Sequence, residues 1–296
     1  MPLDILIPYW GDPALMRRTV ESVLAQTSDD WRLTVVDDAY PDRQVTEWLE
    51  AMTDPRVRSV RHPENVGITA NYRHCLALAT HELVVFLGCD DLLLPDYVAV
   101  VLAAYRRFPE AAMVQPGVRV VGADDAPAGS LVDTVKQRLL RPRVVEPTWL
   151  SGEALAVSLL RGNWLYWPSL AFRREAVEAV GFRDALPIIQ DFALEIDLVC
   201  RGGGLVVEPT VCFLYRRHAS SASATTLTDG TRFADERSYY RLAARQMRER
   251  GWPRAERAAR ARLTSRAHAV ALLPGVLRRR RWGAVRMLGR HVVGRP

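Results

Sequence analysis

Two adjacent carboxylates, Asp90 and Asp91, are the strongest candidates for chemistry in this 296-residue chain. They closely follow the apolar run Leu83 to Leu87, which has the character of a buried strand. Repulsion and desolvation make two like charges costly at such a position. A divalent cation would offset that cost, and carboxylate oxygens suit Mg²⁺ or Mn²⁺ bound to a diphosphate. The alternative is that one Asp caps the next helix while the other is solvated.

A second acidic pair, Asp37 and Asp38, ends another apolar run. A carboxylate at this position can accept hydrogen bonds from a base or a ribose hydroxyl, although strand-to-loop turns also favour Asp. Asn65 to Gly67 precede a predicted helix, whose N-terminus can stabilise phosphate. Neither a P-loop nor the G-x-G-x-x-G dinucleotide motif occurs.

Three further features have both a chemical and an ordinary interpretation. Asp191 begins a predicted helix, where the dipole favours its ionised form, so it is either a cap or a general base. His218 follows a predicted strand and is either a metal ligand or an ordinary histidine. Trp164 and Trp167 offer aromatic faces that could bind an acceptor sugar, or they pack in the core.

The elements that must position these residues alternate along the first 121 residues. Apolar strands are predicted near 3–8, 32–36, 57–61 and 82–87, with amphipathic helices between them. This pattern predicts an α/β fold with a mostly parallel central sheet flanked by helices. Ligands of such sheets bind at the carboxyl ends of the strands, where both acidic pairs occur.

In the later part of the chain the predicted helices and strands no longer alternate regularly. Helices are predicted near 152–160, 174–180 and 191–201, with strands near 169–173 and 206–215. From about residue 231 the chain is Ala- and Arg-rich and predicted to be helical. Breaks are expected at Gly251 to Pro253 and at Pro274 and Gly275, because Pro and Gly interrupt helices.

The ordered set of motifs resembles glycosyltransferase family 2, whose members have the GT-A fold. The resemblance runs from residue 3 to about residue 220. The matching motifs, in chain order, are Ile5 to Trp10, Ser22 to Gln26, Val35 to Asp38, Asn65 to Gly67, Phe86 to Pro95, Phe172 to Arg174, Gly181 and Phe182, Gln190 and Asp191, and Tyr215 to His218. Each motif alone is moderate evidence, whereas their common order and spacing are strong evidence.

The resemblance implies a nucleotide-sugar site and a role for each matching residue. Asp91 resembles the direct metal ligand, His218 a further ligand, and Asp191 the catalytic base. Trp164 and Trp167 lie outside the matching motifs and are expected at the acceptor because aromatic faces stack on sugars. The residues expected to bind the nucleotide sugar are Pro8 and Tyr9 in the base pocket, Asp37 and Asp38 beside the base, Asn71 and Arg73 along the nucleotide and diphosphate, and Asp90 at the ribose or metal. The chain departs from the family at Gly88 and Gln190, where acidic residues are common.

The predicted function is therefore a metal-dependent inverting glycosyltransferase that uses Mg²⁺ or Mn²⁺. The donor is a nucleotide-diphosphate sugar, with UDP- or dTDP-sugars favoured. The acceptor is a hydroxyl of a glycan, a glycolipid or a natural product. A sugar-nucleotide-binding or nucleotidyltransferase-like protein on a similar sheet is the alternative. Nucleotidyltransferases usually carry a Gly-rich basic loop after the first strand, and Pro8 to Pro13 contain none.

Charge divides the chain into two parts. Residues 232–296 contain 18 Arg and 4 acidic residues, a net charge of +14, whereas residues 1–231 carry a net charge of −8. We expect a catalytic domain over 1–230, with a nucleotide-sugar half near 1–121 and an acceptor half near 122–230. A basic helical extension would cover 231–296.

This charge distribution also bears on partners. The acidic body and the lack of a binding motif predict no nucleic-acid partner. Contact of the basic tail with an anionic membrane, with a second copy of the chain or with its own body stays open. The absence of paired cysteine motifs and of an apolar run long enough to span a membrane predicts a cytoplasmic protein, and peripheral contact with the inner membrane face stays open.

Overall fold

A computed structural model describes residues 2–184, 186, 188–217, 231–278 and 280–294. In these residues one sheet contains nine strands: β1 (Leu3–Tyr9), β2 (Trp31–Asp37), β3 (Val57–Arg61), β4 (Leu83–Phe86), β5 (Leu92–Leu93), β6 (Ala111–Val121), β7 (Thr148–Leu150), β8 (Ala171–Arg173) and β9 (Gly204–Arg216). The helices of the body are α1 (Pro13–Leu24), α2 (Gln44–Glu50), α3 (Ile68–Leu78), α4 (Tyr97–Arg107), α5 (Leu131–Val135), α6 (Gly152–Arg161), α7 (Arg174–Val180) and α8 (Gln190–Cys200).

The sheet has a parallel half and a mixed half. Its order is β3-β2-β1-β4-β8-β6-β9-β5, and β7 also pairs with β9. Strands β1 to β4 are mutually parallel, as the alternating pattern predicts. Strand β8 runs antiparallel to both β4 and β6, whereas β6 and β9 are parallel. The predicted α/β class with a central sheet flanked by helices is therefore confirmed, and the parallel arrangement is concentrated in the first half.

The apolar strands have this composition because both faces of the sheet are covered. Successive side chains of a strand point to opposite faces. In β1, Ile5 and Ile7 lie in one buried cluster while Leu6 lies in the other. In β4, Val84 and Val85 are likewise divided between the two clusters. The parallel pairing of β1 with β2 and with β4 brings their carboxyl ends to the same edge of the sheet.

Four helices follow the body: α9 (Thr231–Glu249), α10 (Pro253–Ala261), α11 (Leu263–Arg278) and α12 (Trp282–Val293). Tyr239 and Met247 of α9 and Ala255 of α10 join the same buried cluster as α6 and α8. The start of the extension therefore completes the core of the body. Within the described residues, none of the helices combines the length and the apolarity that crossing a bilayer requires.

One of the two predicted helix breaks is correct and the other is wrong. Helix α9 ends just before Gly251 and α10 begins at Pro253, as expected. Helix α11, however, continues through Pro274. Ala269 on one side of this proline and Val276 on the other pack in one apolar cluster with Phe233, so tertiary packing overrides the local preference. The unexpected break falls at Arg262, a left-handed residue with φ 47°.

Candidate active site

The pair Asp90 and Asp91 lies in a turn just after β4. The amide of Asp91 donates to the carbonyl of Gly88 at 3.2 Å. The Asp91 side chain is buried, with 1% exposure, and its Oδ1 accepts a hydrogen bond from the main-chain amide of Arg216 at 2.8 Å. Burial, and then the charge of Asp90, hold the pKa of Asp91 well above its ordinary value. A bound cation would reverse this shift, because it stabilises the ionised form.

The two carboxylates converge above Gly88. A Cβ built on this glycine would lie 2.6 Å from Asp91 Oδ2 and 3.1 Å from Asp90 Oδ1. The Asp91 carboxylate therefore already fills part of the place that a side chain at position 88 would take, and an oxygen of Asp90 approaches the same point. Two carboxylates whose oxygens converge fit Mg²⁺ or Mn²⁺ that keeps water and substrate ligands.

Arg216, at the end of β9, joins this turn to a neighbouring loop. Its Nε donates to the carbonyl of Asp90 at 2.7 Å, and its Nη1 donates to the carbonyl of Gly122 at 3.0 Å. The guanidinium also forms an ion pair with Asp125, which in turn pairs with Arg18. Arg216 thus fixes the main chain around the acidic pair, while its side chain is directed toward Asp125.

Asp37 and Asp38 both have hydrogen-bond partners within the protein. Asp37 Oδ1 accepts from the amide of Tyr40 at 2.8 Å, and Asp37 Oδ2 accepts from Thr46 Oγ1 at 2.5 Å and forms an ion pair with Arg61. This carboxylate therefore organises the turn after β2.

Asp38 instead holds the loop that precedes α3. Its two oxygens accept from the amides of Val66 at 2.7 Å and Gly67 at 3.1 Å. Gly67 has φ 84°, a value that glycine adopts without strain. The predicted role of this acidic pair at the base remains a prediction, and their contacts give them a structural role as well.

Two other expected donor-site residues carry polar atoms without partners. Tyr9, at the end of β1, is buried, and its hydroxyl makes no hydrogen bond to the described residues. Asn71 of α3 donates from Nδ2 to the carbonyl of Val36 at 3.0 Å, while its Oδ1 has no partner in the described ranges. Pro8 directly precedes Tyr9 in the same strand. Buried groups of this kind are normally paired, so they mark a place where a ligand or water can contribute.

Trp10 was not assigned from the sequence. It directly follows β1, its side chain is 49% exposed, and its ring contacts Tyr40 edge-on with centroids 5.4 Å apart. Tyr40 also contacts Tyr9 at 5.4 Å. An exposed aromatic residue at the carboxyl end of the central strand, in a motif already noted for Pro8 and Tyr9, was the available signal.

Arg73 and Asp191 connect the donor half with the helix α8. Arg73 donates to the carbonyl of Phe182 at 2.7 Å and pairs with Asp184 at 2.5 Å. Asp191 lies in the first turn of α8, and its Oδ1 accepts from the amide of Phe192 at 2.8 Å. Arg73 thus anchors the segment that leads toward the predicted base.

Tyr72 follows Asn71 in α3 and interacts electrostatically with Asp191. Burial raises the pKa of the Tyr72 hydroxyl, and smaller raising contributions come from Asp191 and from Cys89, the residue before Asp90. One turn beyond Asp191, the fully buried Glu195 accepts from Asn163 Nδ2 at 2.7 Å. Burial, followed by Asp191, raises the pKa of Glu195 well above its ordinary value.

The two tryptophans assigned to the acceptor are mostly buried. Trp164 is 1% exposed and donates from Nε1 to Ser158 Oγ at 3.0 Å. Trp167 donates to the Tyr72 hydroxyl at 3.1 Å and stacks on Phe86 with centroids 5.7 Å apart. These contacts favour the packing alternative for Trp164. Trp167 is buried and contacts the candidate site only indirectly, through its hydrogen bond to Tyr72.

The metal expectation rests on Asp90 and Asp91 alone. His218, the further ligand expected from the sequence, lies outside the described residues. Within the described ranges, no group of three or more His, Cys, Asp or Glu side chains is arranged to hold a metal ion. A cation at this site would therefore need additional ligands from substrate oxygens, water or undescribed residues.

Comparison with known proteins defines the class of this site. The sequence model of glycosyl transferase family 2 matches residues 4–180, more than half of the chain. The chain belongs to glycosyl transferase family 2, and it is a glycosyltransferase. This resolves the alternative of a nucleotidyltransferase-like protein in favour of sugar transfer.

Individual relatives are distant. An uncharacterized protein of Mycobacterium tuberculosis is 28% identical over 240 residues, which cover 78% of this chain and 71% of the relative. The succinoglycan biosynthesis protein ExoO of Rhizobium meliloti is 27% identical over 220 residues, covering 72% and 60%. Among the first relatives compared, the matched part spans between 13% and 71% of their own length.

A solved structure confirms the fold. Residues 1–349 of Staphylococcus aureus TarS, in complex with UDP-GlcNAc, superpose with a TM-score of 0.74 at 11% identity. The match covers 100% of this chain and 82% of that one. At this identity the similarity establishes the shared architecture alone.

Proposed function

We propose that this enzyme transfers a sugar, with inversion at the anomeric carbon, from a nucleotide-diphosphate sugar to an acceptor hydroxyl. The observation that carries the proposal is the convergence of Asp90 and Asp91 above Gly88, at the carboxyl end of the buried strand β4. UDP-sugars are the favoured donors, with dTDP-sugars next, and the UDP-GlcNAc complex of TarS supports this choice. The naming of ExoO for succinoglycan biosynthesis supports a glycan acceptor over a small natural product.

Asp90 and Asp91 would hold Mg²⁺ or Mn²⁺ together with the donor diphosphate. When bound, such a cation supplies electrostatic stabilisation of the charge that develops on the leaving diphosphate. The partnerless Tyr9 hydroxyl at the end of β1 and Asn71 Oδ1 of α3, whose Nδ2 contacts Val36 near the end of β2, are suited to hydrogen bonds with the nucleoside. Arg73 and the loop held by Asp38 would border the diphosphate.

Asp191 is the proposed general base. Its carboxylate takes the proton of the acceptor hydroxyl while that oxygen forms a bond to the anomeric carbon. The bond between this carbon and the diphosphate oxygen breaks, and its electron pair leaves with the nucleoside diphosphate. Attack from the face opposite the leaving group inverts the configuration. Tyr72, which follows the donor-site residue Asn71 in α3 and interacts electrostatically with Asp191, supports the placement of Asp191 near the donor site.

The metal and donor assignment is tested by calorimetry with Mn²⁺ and UDP on the Asp91→Asn variant. We expect the variant to lose metal-dependent UDP binding. Asp96→Asn is the matched control. Asp96 lies five residues after Asp91, its side chain is exposed, and its Oδ1 accepts a hydrogen bond from Thr27. Equal, EDTA-insensitive UDP binding by the wild type and the Asp91→Asn variant would count against the proposed metal site.

The donor is identified by thermal unfolding of the wild-type enzyme with UDP-, dTDP- and GDP-sugars, each with Mn²⁺. We expect a UDP- or dTDP-sugar to give the largest rise in melting temperature. Stabilisation by GDP-sugars alone would contradict the donor preference while leaving the transferase assignment intact.

A further inference from the structure

Arginines of the C-terminal helices converge on one surface cleft. The cleft has a volume of about 550 Å³ and lies between α9 and the end of α12. Arg237 and Arg241 come from α9, one turn apart, and Arg290 comes from α12. The remaining lining residues are Gly289, Val293 and Gly294. All charged side chains among these lining residues are therefore guanidinium groups.

Two more arginines contact a lining residue of the cleft without lining it themselves. Arg262 and Arg266 both donate through Nη2 to the carbonyl of Gly294, at 2.6 Å and 3.0 Å. Because Gly294 lines the cleft, this shared contact places both Nη2 atoms next to its main chain. Arg262 occupies the left-handed junction between α10 and α11, so the chain tolerates an unfavourable backbone conformation at this arginine.

The buried part of this cluster is not satisfied by the described residues. Arg262 is 0% exposed, yet its Nε and Nη1 make no hydrogen bond there, and neither does Nε of Arg266. Burial, and then the charges of Arg266, Arg237 and Arg241, lower the pKa of Arg262. A buried guanidinium with free donors surrounded by like charges is costly unless an anion accepts its hydrogen bonds.

Acidic side chains nearby have other contacts. Glu236 of α9 accepts a hydrogen bond from Ser265 Oγ, which also contacts His291 Nε2 at 2.7 Å. Burial lowers the pKa of His291 to about 4, against the opposing effect of Glu236 and with the help of Arg262 and Arg237. The charged side chains that line the cleft are arginines, so its positive charge does not depend on His291.

We propose that this cleft is a phosphate-binding site, separate from the sugar-transfer site. A phosphate group presents several acceptor oxygens and up to two negative charges, which match converging guanidinium forks. The bound group belongs either to a free phosphate or diphosphate or to the headgroup of an anionic lipid. The inference does not depend on the donor, metal or base assigned above.

The first experiment is thermal unfolding of the wild-type chain in phosphate and in chloride at equal ionic strength. We expect phosphate to raise the melting temperature, and the double variant Arg241→Gln/Arg290→Gln to lose this response. Arg257→Gln is the control, because Arg257 is an exposed arginine of α10 outside the cleft and its loss removes the same charge. We expect this variant to keep the rise in melting temperature that phosphate causes. In chloride the double variant should be at least as stable as the wild type, because it loses repulsion. A purely structural role for these arginines predicts the opposite.

The second experiment distinguishes the source of the phosphate group. Calorimetry measures inorganic phosphate and pyrophosphate binding, and co-sedimentation measures binding to vesicles of phosphatidylglycerol in phosphatidylcholine. Vesicle binding that the double variant weakens at least about tenfold assigns the site to a lipid headgroup. Binding of the soluble anions without vesicle binding assigns it to free phosphate. UDP binding in the presence of Mn²⁺ should be unchanged in the double variant, which separates this site from the donor site.

Two results would overturn the proposal. The first is a wild-type chain that responds to neither the soluble anions nor the vesicles. The second is a double variant that responds to either of them as strongly as the wild type, since the anion would then bind elsewhere.

Discussion

Replacing Gly88 by alanine tests the acidic pair with a single carbon atom. No left-handed backbone angle is required at Gly88, so alanine is compatible with the main chain. The new Cβ would lie 2.6 Å from Asp91 Oδ2, whereas ordinary contact begins at 3.4 Å. The oxygen must therefore move by about 0.8 Å. Asp91 Oδ1 is held by the amide of Arg216, so the carboxylate has to rotate about that contact or release it.

The size of the effect follows from this displacement. A misplacement of about 1 Å in a catalytic group can lower the rate about 10²-fold, equivalent to about 2.7 kcal/mol of transition-state stabilisation. Inserting one carbon into a packed site costs about 1–3 kcal/mol of stability. We therefore expect a folded Gly88→Ala enzyme whose turnover falls about 10²-fold and whose affinity for Mn²⁺ in the presence of UDP is also reduced.

The assay is release of nucleoside diphosphate from the donor, together with calorimetric titration of Mn²⁺. Gly129→Ala is the control, because Gly129 lies in an exposed loop where an added Cβ meets nothing within 4 Å. We expect the control to match the wild type in both measurements. If Gly88→Ala had wild-type turnover and Mn²⁺ affinity, Asp90 and Asp91 would not act together at this point, and the reasoning would fail.

Three further predictions address other parts of the site. Asp191→Asn should lower transfer about 10²- to 10⁴-fold while donor-dependent thermal stabilisation persists, and near-normal turnover would exclude Asp191 as base. Asp38→Ala should lower the free energy of unfolding in urea by about 1–3 kcal/mol, because the amides of Val66 and Gly67 lose their acceptor; an unchanged value would show that the loop does not depend on it. The raised pKa of Glu195 means that the folded state retains a proton that the unfolded state has released, so wild-type stability falls as pH rises above about 4.3. Glu195→Gln should gain stability relative to the wild type between pH 5 and 8, and parallel pH profiles would contradict this.

The parallel half of the fold was predictable from sequence because its strands are buried on both faces. Such strands are continuous apolar runs, and Val57–Arg61 was located to the residue. Strand β6 was not predicted individually. It contains Pro116 and Gly117, residues that disfavour strands, and its pairing with β9 shifts register at these positions. These register shifts are accommodated by β9, which lies about 90 residues later in the chain, and no local sequence pattern reveals that pairing.

The sequence indicates where the candidate site lies, and the roles of its residues stay predictions. Asp90 and Asp91 stand out in the sequence because two charged residues directly after a buried apolar strand are energetically costly. The contacts of Asp37 with Thr46 and Arg61 cannot be predicted from sequence, since they join separate elements of the fold. Trp164 shows the limit of residue type, because tryptophan suits both a sugar and a core, and only the fold buries it.

The helix α9 links two parts of the molecule that have different tasks. Phe192, next to the proposed base, packs against Tyr239 and Tyr240 of α9 at 5.4 Å and 5.8 Å, and Gln246 donates to Asp197 of α8 at 2.8 Å. The same helix carries Arg237 and Arg241 to the arginine cleft. Arg237 and Arg241 flank Tyr239 and Tyr240 in the chain, so the same stretch of α9 packs against α8 and lines the cleft. We therefore expect substitutions that displace this stretch to alter both turnover and anion binding.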